Sequence, residues 1–242
     1  MESIISSIVS DVISGVILIG IAILGTVLFW KITGRTSVVD LLANIQRDVE
    51  DAINKKYLQL GSSPNGEQRI EEFIADNIVA IGWPAIGDLS EFTTYSVQKK
   101  KDIIYPKIEQ HYPGLSSRAL GLYTGYFVRF LSVKPGDVLV VRPSGTNELY
   151  FLVVKSAYKY NVALASKDMA HTIEFDPNRS LKIKNLDTIT KNMVAVPDEK
   201  TIEDFKKSVL MARLTITDLS KFDRLIEAIF ESDSEYIESI EK

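Results

Sequence analysis

The chain has no cysteine among its 242 residues, which excludes structural disulfides and thiolate metal sites. Histidine is almost as scarce: His111 and His171 are the two. That leaves no His-rich metal cluster and no basis for a His-dependent catalytic triad. The sequence carries no Walker loop, no GxGxxG after a strand, no HExxH and no GxSxG. Acid pairs such as Glu71/Glu72 and Glu203/Asp204 sit on polar helix faces, where solvation explains them. Asp168 and His171, three apart, read either as a coupled pair or as a turn Asp followed by a strand His. Strand patterns do not alternate regularly with helical ones, which disfavours a Rossmann-like nucleotide fold. No repeat and no low-complexity segment is present. These absences predict a non-enzymatic protein with no catalytic residues, no metal and no cofactor.

What the sequence does have begins at its front. Ile4 to Trp30 is almost wholly apolar, with Asp11 its only charge. As a helix rising ~1.5 Å per residue it exceeds the ~30 Å hydrocarbon core of a bilayer. Trp30, Lys31 and Arg35 supply an interfacial aromatic and a cationic flank, whereas the N-terminal side carries Glu2 and no Lys or Arg. The positive-inside rule then predicts a single-pass cell-membrane protein, N-terminus outside and the remainder cytoplasmic. A cleaved signal peptide needs a basic start and a shorter apolar run, and has neither here. Ser3, Ser7, Ser10 and Ser14 recur on one helical face beside Asp11. That stripe serves helix packing in one reading and a polar, pore-facing lumen in the other; both predict a homo-oligomer in the lipid bilayer.

Beyond the anchor (1–35), residues 36–60 read as an amphipathic stalk. Val38, Leu42, Ile45, Val49 and Ala52 follow an a/d pattern, as a coiled coil or as a helix lying on its own domain. The GSSPNG run, 61–66, is turn chemistry and the expected linker. A domain over 67–198 follows, with helices predicted over Glu67–Asn77, Ser96–Gln110 (broken near Pro106) and Ser116–Leu131. Short strands are predicted at Ile78–Trp83, at VLVVRP ending on Pro143, over Leu149–Tyr160 as its hairpin partner, and at 162–166, 171–175 and 181–186. Together they suggest a small barrel. Thr201–Arg213 and Thr217–Glu231 form a closing helical pair in 199–242. The predicted class is α+β.

Charge is uneven. Val97–Tyr160 holds ten Lys or Arg against four acids, whereas Asp198–Lys242 holds seven bases against twelve acids, within a net charge of −4. The middle of the chain therefore attracts a phosphate-bearing ligand and the tail does not.

In that middle, IGWPAIGDLS (Ile81–Ser90) precedes a basic helix, HYPG (His111–Gly114), RALGLYTGYFVRFL (Arg118–Leu131), KPGDVLVV (Lys134–Val141) and KSAYKY (Lys155–Tyr160). Over about Glu67–Tyr160 this ordered set resembles the reader module at the N-terminus of Mrr-type restriction endonucleases, which is similar to PUA-like barrels such as the EVE and YTH readers of modified bases. The resemblance implies an aromatic-lined ligand pocket in the barrel and a binding role for Trp83, Gly87, Asp88 and Leu89, with Tyr158 and Tyr160 beside them. On physical grounds Trp83 stacks on a base or is a core aromatic. Asp88 accepts from an exocyclic amine or caps a turn, and Arg129, Arg142 and Lys155 are available to phosphate. Strand alternation predicts that one of Tyr158 and Tyr160 faces inward and the other outward.

The sequence departs from those endonucleases in having no nuclease domain after the reader. The expected function is a self-associating membrane effector whose cytoplasmic PUA/EVE-like domain senses a cyclic nucleotide, an oligonucleotide messenger or a modified base and alters membrane integrity, a logic suited to antiviral defence. The alternative is a membrane-anchored scaffold that binds another protein through its acidic C-terminal helices. Duplex DNA is not an expected partner, given the net negative charge.

Overall fold

The structure is a computed structural model that describes residues 55–189, 198–211, 216–232 and 235–240, all within one compact unit, Lys55–Lys242. Its centre is a curled, mixed eight-stranded sheet, a half-barrel, in an α+β fold. In chain order the elements are β1 (Tyr57–Gly61), α1 (Ile70–Asp76), β2 (Ile78–Ile81), α2 (Val97–His111), α3 (Ser117–Phe130), β3 (Val138–Arg142), β4 (Leu149–Val154), β5 (Lys159–Tyr160), β6 (His171–Ile183), α4 (Glu199–Met211), β7 (Ile216–Asp218), α5 (Asp223–Glu231) and β8 (Ile237–Ser239). The sheet order is β2-β6-β4-β3-β1-β7, with β5 and β8 also pairing β6. β1 runs parallel to β3, Tyr57 opposite Val138, and the other pairings are antiparallel.

Both faces of this sheet are covered, which explains why VLVV and LYFLVV are continuous apolar runs rather than alternating ones. Leu139, Val141, Tyr150, Leu152 and Val154 point to one core, shared with Phe73 of α1, Ile104 and Ile108 of α2 and Phe127 of α3. Val138, Val140, Leu149, Phe151 and Val153 point to the other, shared with Phe205 and Val209 of α4 and with Leu225, Ile226 and Ile229 of α5. The predicted C-terminal helical pair is therefore the cover of the second face. Its second member is shorter than the pattern suggested, because Ile216–Asp218 joins the edge of β1 as β7 before α5 begins.

Helix starts follow their caps. Ser96 accepts from the Lys99 amide to open α2, and Ser116 accepts from the Ala119 amide to open α3. Pro106 does not break α2, which continues to His111. The helix α3 runs unbroken through Gly121 and Gly125. The apolar run at 162–166 is a 3-10 helix, Val162–Lys167, and the runs at 171–175 and 181–186 belong to one long strand, β6. Tyr57–Leu60, expected at the end of the stalk helix, is strand, because its four buried residues pair with β3 on one side and β7 on the other.

Two larger expectations are corrected. Among the described residues no helix is long and apolar enough to cross a membrane. The longest, α2 and α3, have 15 and 14 residues against the ~20 that a span needs, and α2 is rich in lysine. The described residues thus contain no transmembrane helix, and a single-pass membrane protein is not supported. Nor is the sheet a small closed barrel: it ends on β2 and β7, and helices cover both its faces. Ile4–Trp30, the pore-facing set Ser3, Ser7, Ser10, Asp11 and Ser14, and the a/d positions Val38–Ala52 lie outside the described residues.

Candidate functional site

The chemistry-bearing residues of the middle segment converge around Trp83. After β2, Gly82 leads into Trp83 at φ 78°, ψ 46°, a left-handed conformation rare for a bulky side chain and rarer still before a proline. Such strain persists only where the surroundings over-determine it. Here both peptide groups of Trp83 are held. Its N–H donates to Asp168 Oδ1 at 2.9 Å, and its carbonyl lies 3.1 Å from His171 Nε2. Gly82 has no room for a side chain, since a Cβ there would run into the Asp168 carboxylate. Asp168 itself is left-handed, at φ 56°, where it ends the 3-10 helix Val162–Lys167.

His171 opens β6 and is fully buried. Its Nδ1 is 2.7 Å from the Tyr158 hydroxyl, which in turn accepts from the Leu89 N–H at 3.3 Å. Each hydrogen bond is satisfied if Tyr158 donates to Nδ1 and a neutral imidazole donates from Nε2 to the Trp83 carbonyl. Burial supports that state, pushing the His171 pKa from 6.5 down to about 4 and raising that of Tyr158 above the ordinary phenol range. Asp168 and His171 are thus coupled through the backbone of Trp83 rather than to each other.

The indole is partly exposed and lies among other rings. Tyr123 is 4.2 Å away between centroids, Tyr112 4.9 Å and Phe127 6.5 Å. Tyr160 packs on His171 at 5.2 Å and donates its hydroxyl to the Pro84 carbonyl at 3.0 Å. Trp83, Tyr112, Tyr123 and Tyr160 are all partly exposed, so the surface here is a patch of four aromatic rings backed by a satisfied polar network. Tyr158 and Tyr160 both turn toward His171, because only Lys159 and Tyr160 are strand and the period-2 rule does not extend back to Tyr158.

Other predicted site residues have supporting or separate places. Gly87, at φ 77° and ψ −170°, holds a conformation essentially reserved for glycine. Asp88 accepts from the amide and the hydroxyl of Ser90, so it is the turn cap. Leu89 is buried and contributes its N–H to Tyr158. The three expected phosphate-binding cations do not join the patch. Arg129 lies on the other face of α3, on the wall of a cavity of about 680 Å³. Arg142 is at the end of β3, its Nε buried without a partner among the described residues. Lys155 lines a smaller cavity of about 360 Å³ with Asp76, Glu174 and Asp176.

Tyr112, Tyr123 and His171 were not singled out as binding residues. Tyr123 and Phe127 had a usable signal, an i,i+4 aromatic pair, and Gly82-Trp83-Pro84 had another, a bulky residue squeezed between two backbone punctuators. No protein-family model matches the chain, and no curated protein or solved structure matches it.

Proposed function

We propose that this unit is a binding module for a planar heteroaromatic ring of the nucleobase type, with Trp83 as its stacking platform and Tyr112, Tyr123 and Tyr160 as its rim. One observation carries the reading: a partly exposed indole, held in a strained backbone conformation by bonds to both of its peptide groups, against the partly exposed rings of Tyr112 and Tyr123, with Tyr160 bonded to the next residue, Pro84. Stacking of a base on an aromatic ring is worth about 1–3 kcal/mol, and a platform fixed before binding loses little entropy when it binds. The resemblance of Glu67–Tyr160 to readers of modified bases points to the same ligand class, a cyclic nucleotide, an oligonucleotide or a modified base. Because Arg129, Arg142 and Lys155 lie elsewhere, recognition at this patch rests on the ring rather than on phosphate.

The chain has two tryptophans, so Trp30→Phe leaves Trp83 as the sole indole reporter. Titration of that variant with nucleosides, modified nucleosides, cyclic mononucleotides and short oligonucleotides is expected to give saturable fluorescence quenching by at least one of them. The same ligand, at about 100 times its dissociation constant, is expected to stabilise the fold by roughly 2.7 kcal/mol. Absence of saturable quenching across the panel refutes the stacking role and favours a protein-binding scaffold.

A further inference from the structure

The face of α3 turned away from Trp83 borders the larger cavity. Gly121, Leu122, Gly125 and Arg129 form one wall of it, Val97 and Lys101 at the start of α2 another, and Lys56 and Leu58 of the β1 region a third. At about 680 Å³ it has the size of a small-molecule site.

Its electrostatics are one-sided. Lys56, Lys101 and Arg129 line it, and none is in an ion pair among the described residues. One acid, Asp218, also lies on the wall, where it caps the Ser220 amide, so the three cations outnumber the single carboxylate. Lys56 Nζ donates to the Ser132 carbonyl at 2.8 Å, while the buried Lys100 amine donates to the Ser132 hydroxyl at 2.9 Å. Burial first, and then the Lys56 charge, lower the Lys100 pKa, and Lys56 in turn has the buried Asp137 carboxylate within electrostatic reach.

The glycines are a second anomaly. A glycine inside a helix is disfavoured relative to alanine, yet neither position needs one. Neither has a positive φ, a Cβ at Gly121 would meet nothing within 4 Å, and one at Gly125 would meet only the Arg129 guanidinium at 3.6 Å. What the missing side chains do is keep the wall of the cavity low. Beside them Leu122 and Val97 stay 38% and 55% exposed, an apolar surface next to unpaired cations.

We propose that this cavity binds a phosphate monoester carried on a compact aromatic or apolar body, the phosphate meeting Lys101, Arg129 and Lys56 and the body lying over Gly121, Gly125 and Leu122. The site is separate from the Trp83 patch and stands or falls independently of it.

The test is calorimetric titration of the full chain with phenyl phosphate, inorganic phosphate and phenol. Phenyl phosphate is expected to bind saturably and at least tenfold more tightly than the other two, and more weakly as salt is raised. Arg129→Gln and Lys101→Gln, both changes of exposed side chains, are each expected to weaken it at least fivefold. Gly121→Leu is expected to abolish binding with an unchanged or higher Tm, and Trp83→Gly to leave it unaltered. The proposal is overturned if phenyl phosphate gives no saturable heat, if the Arg129→Gln/Lys101→Gln double variant binds it as the parent does, or if inorganic phosphate binds equally well.

Discussion

The two faces of α3 solve opposite problems. On the Trp83 face Tyr123 and Phe127 pack into a cluster in which the strained Trp83 peptide and the buried Tyr158 and His171 side chains all have hydrogen-bond partners. On the other face Gly121 and Gly125 leave space, and Arg129 and Lys101 have no acidic partner among the described residues. The first face is built to hold one conformation against strain; the second gives up helix stability for room. Substitutions at the first should therefore cost stability, and small additions at the second should raise it.

The largest effect expected is at His171. In the unfolded chain its imidazole takes up a proton below pH 6.5, whereas in the folded chain it resists until about pH 4. Between those values the unfolded state binds more protons, so stability falls as the pH falls. The contribution is complete above pH 6.5, is lost as the pH approaches 4, and amounts to roughly 3 kcal/mol. The titratable groups facing the ring are Tyr158, Tyr160 and, electrostatically, Asp88; Phe127 and the Trp83 carbonyl also border it. Urea unfolding from pH 7 to pH 4 measures the slope. His171→Gln should be less stable at pH 7, with a slope flatter than the parent's; an identical slope removes His171 as its source.

Next in size is Gly82→Ala. The added methyl displaces the Asp168 carboxylate and breaks its bond to the Trp83 N–H, at a cost of about 1–2 kcal/mol. In an Asp168→Gly background, where the carboxylate is gone and the left-handed backbone is kept, the same methyl should cost nearly nothing. A double-mutant cycle by chemical unfolding reads the coupling, and additive costs sink the account. A smaller contrast follows at Trp83. Both Trp83→Ala and Trp83→Gly lose the ring, but only glycine relieves the left-handed backbone, so the glycine variant should be more stable by about 1 kcal/mol.

Much of this layout was written in local sequence. Ser96 and Ser116 marked the starts of α2 and α3, and Pro143 the end of the β3 strand pattern, because caps and prolines act on their neighbours alone. Trp83, Tyr158 and Tyr160 are named together through what the resemblance to readers of modified bases implies. Their meeting point was not legible, since Asp168 and His171 reach Trp83 across 85 and 88 residues. β1 was misread as helix for a related reason. Tyr57–Leu60 continues a helical-looking run, and what makes it a strand is a pairing with Val138–Val141 that no local pattern encodes. The three expected phosphate-binding cations do not gather in one place, because a charge count over 97–160 shows that positive charge is plentiful and not on which side of a helix it lies.

The smallest effect is the most discriminating. Gly121→Ala and Gly125→Ala should each raise stability by about 0.5–1 kcal/mol, since both sit inside α3 without positive φ and without a close neighbour that an added methyl must move. A glycine at such a position is not explained by folding energetics, and space for a ligand is one explanation. Thermal unfolding of the single and double variants, with phenyl phosphate titrated into each, separates the cases. Higher Tm with weaker binding assigns the glycines to the cavity. Higher Tm with unchanged binding leaves the cavity without a use for them. Lower Tm means that the space beside α3 is occupied in the folded chain, and the contrast between its two faces then disappears.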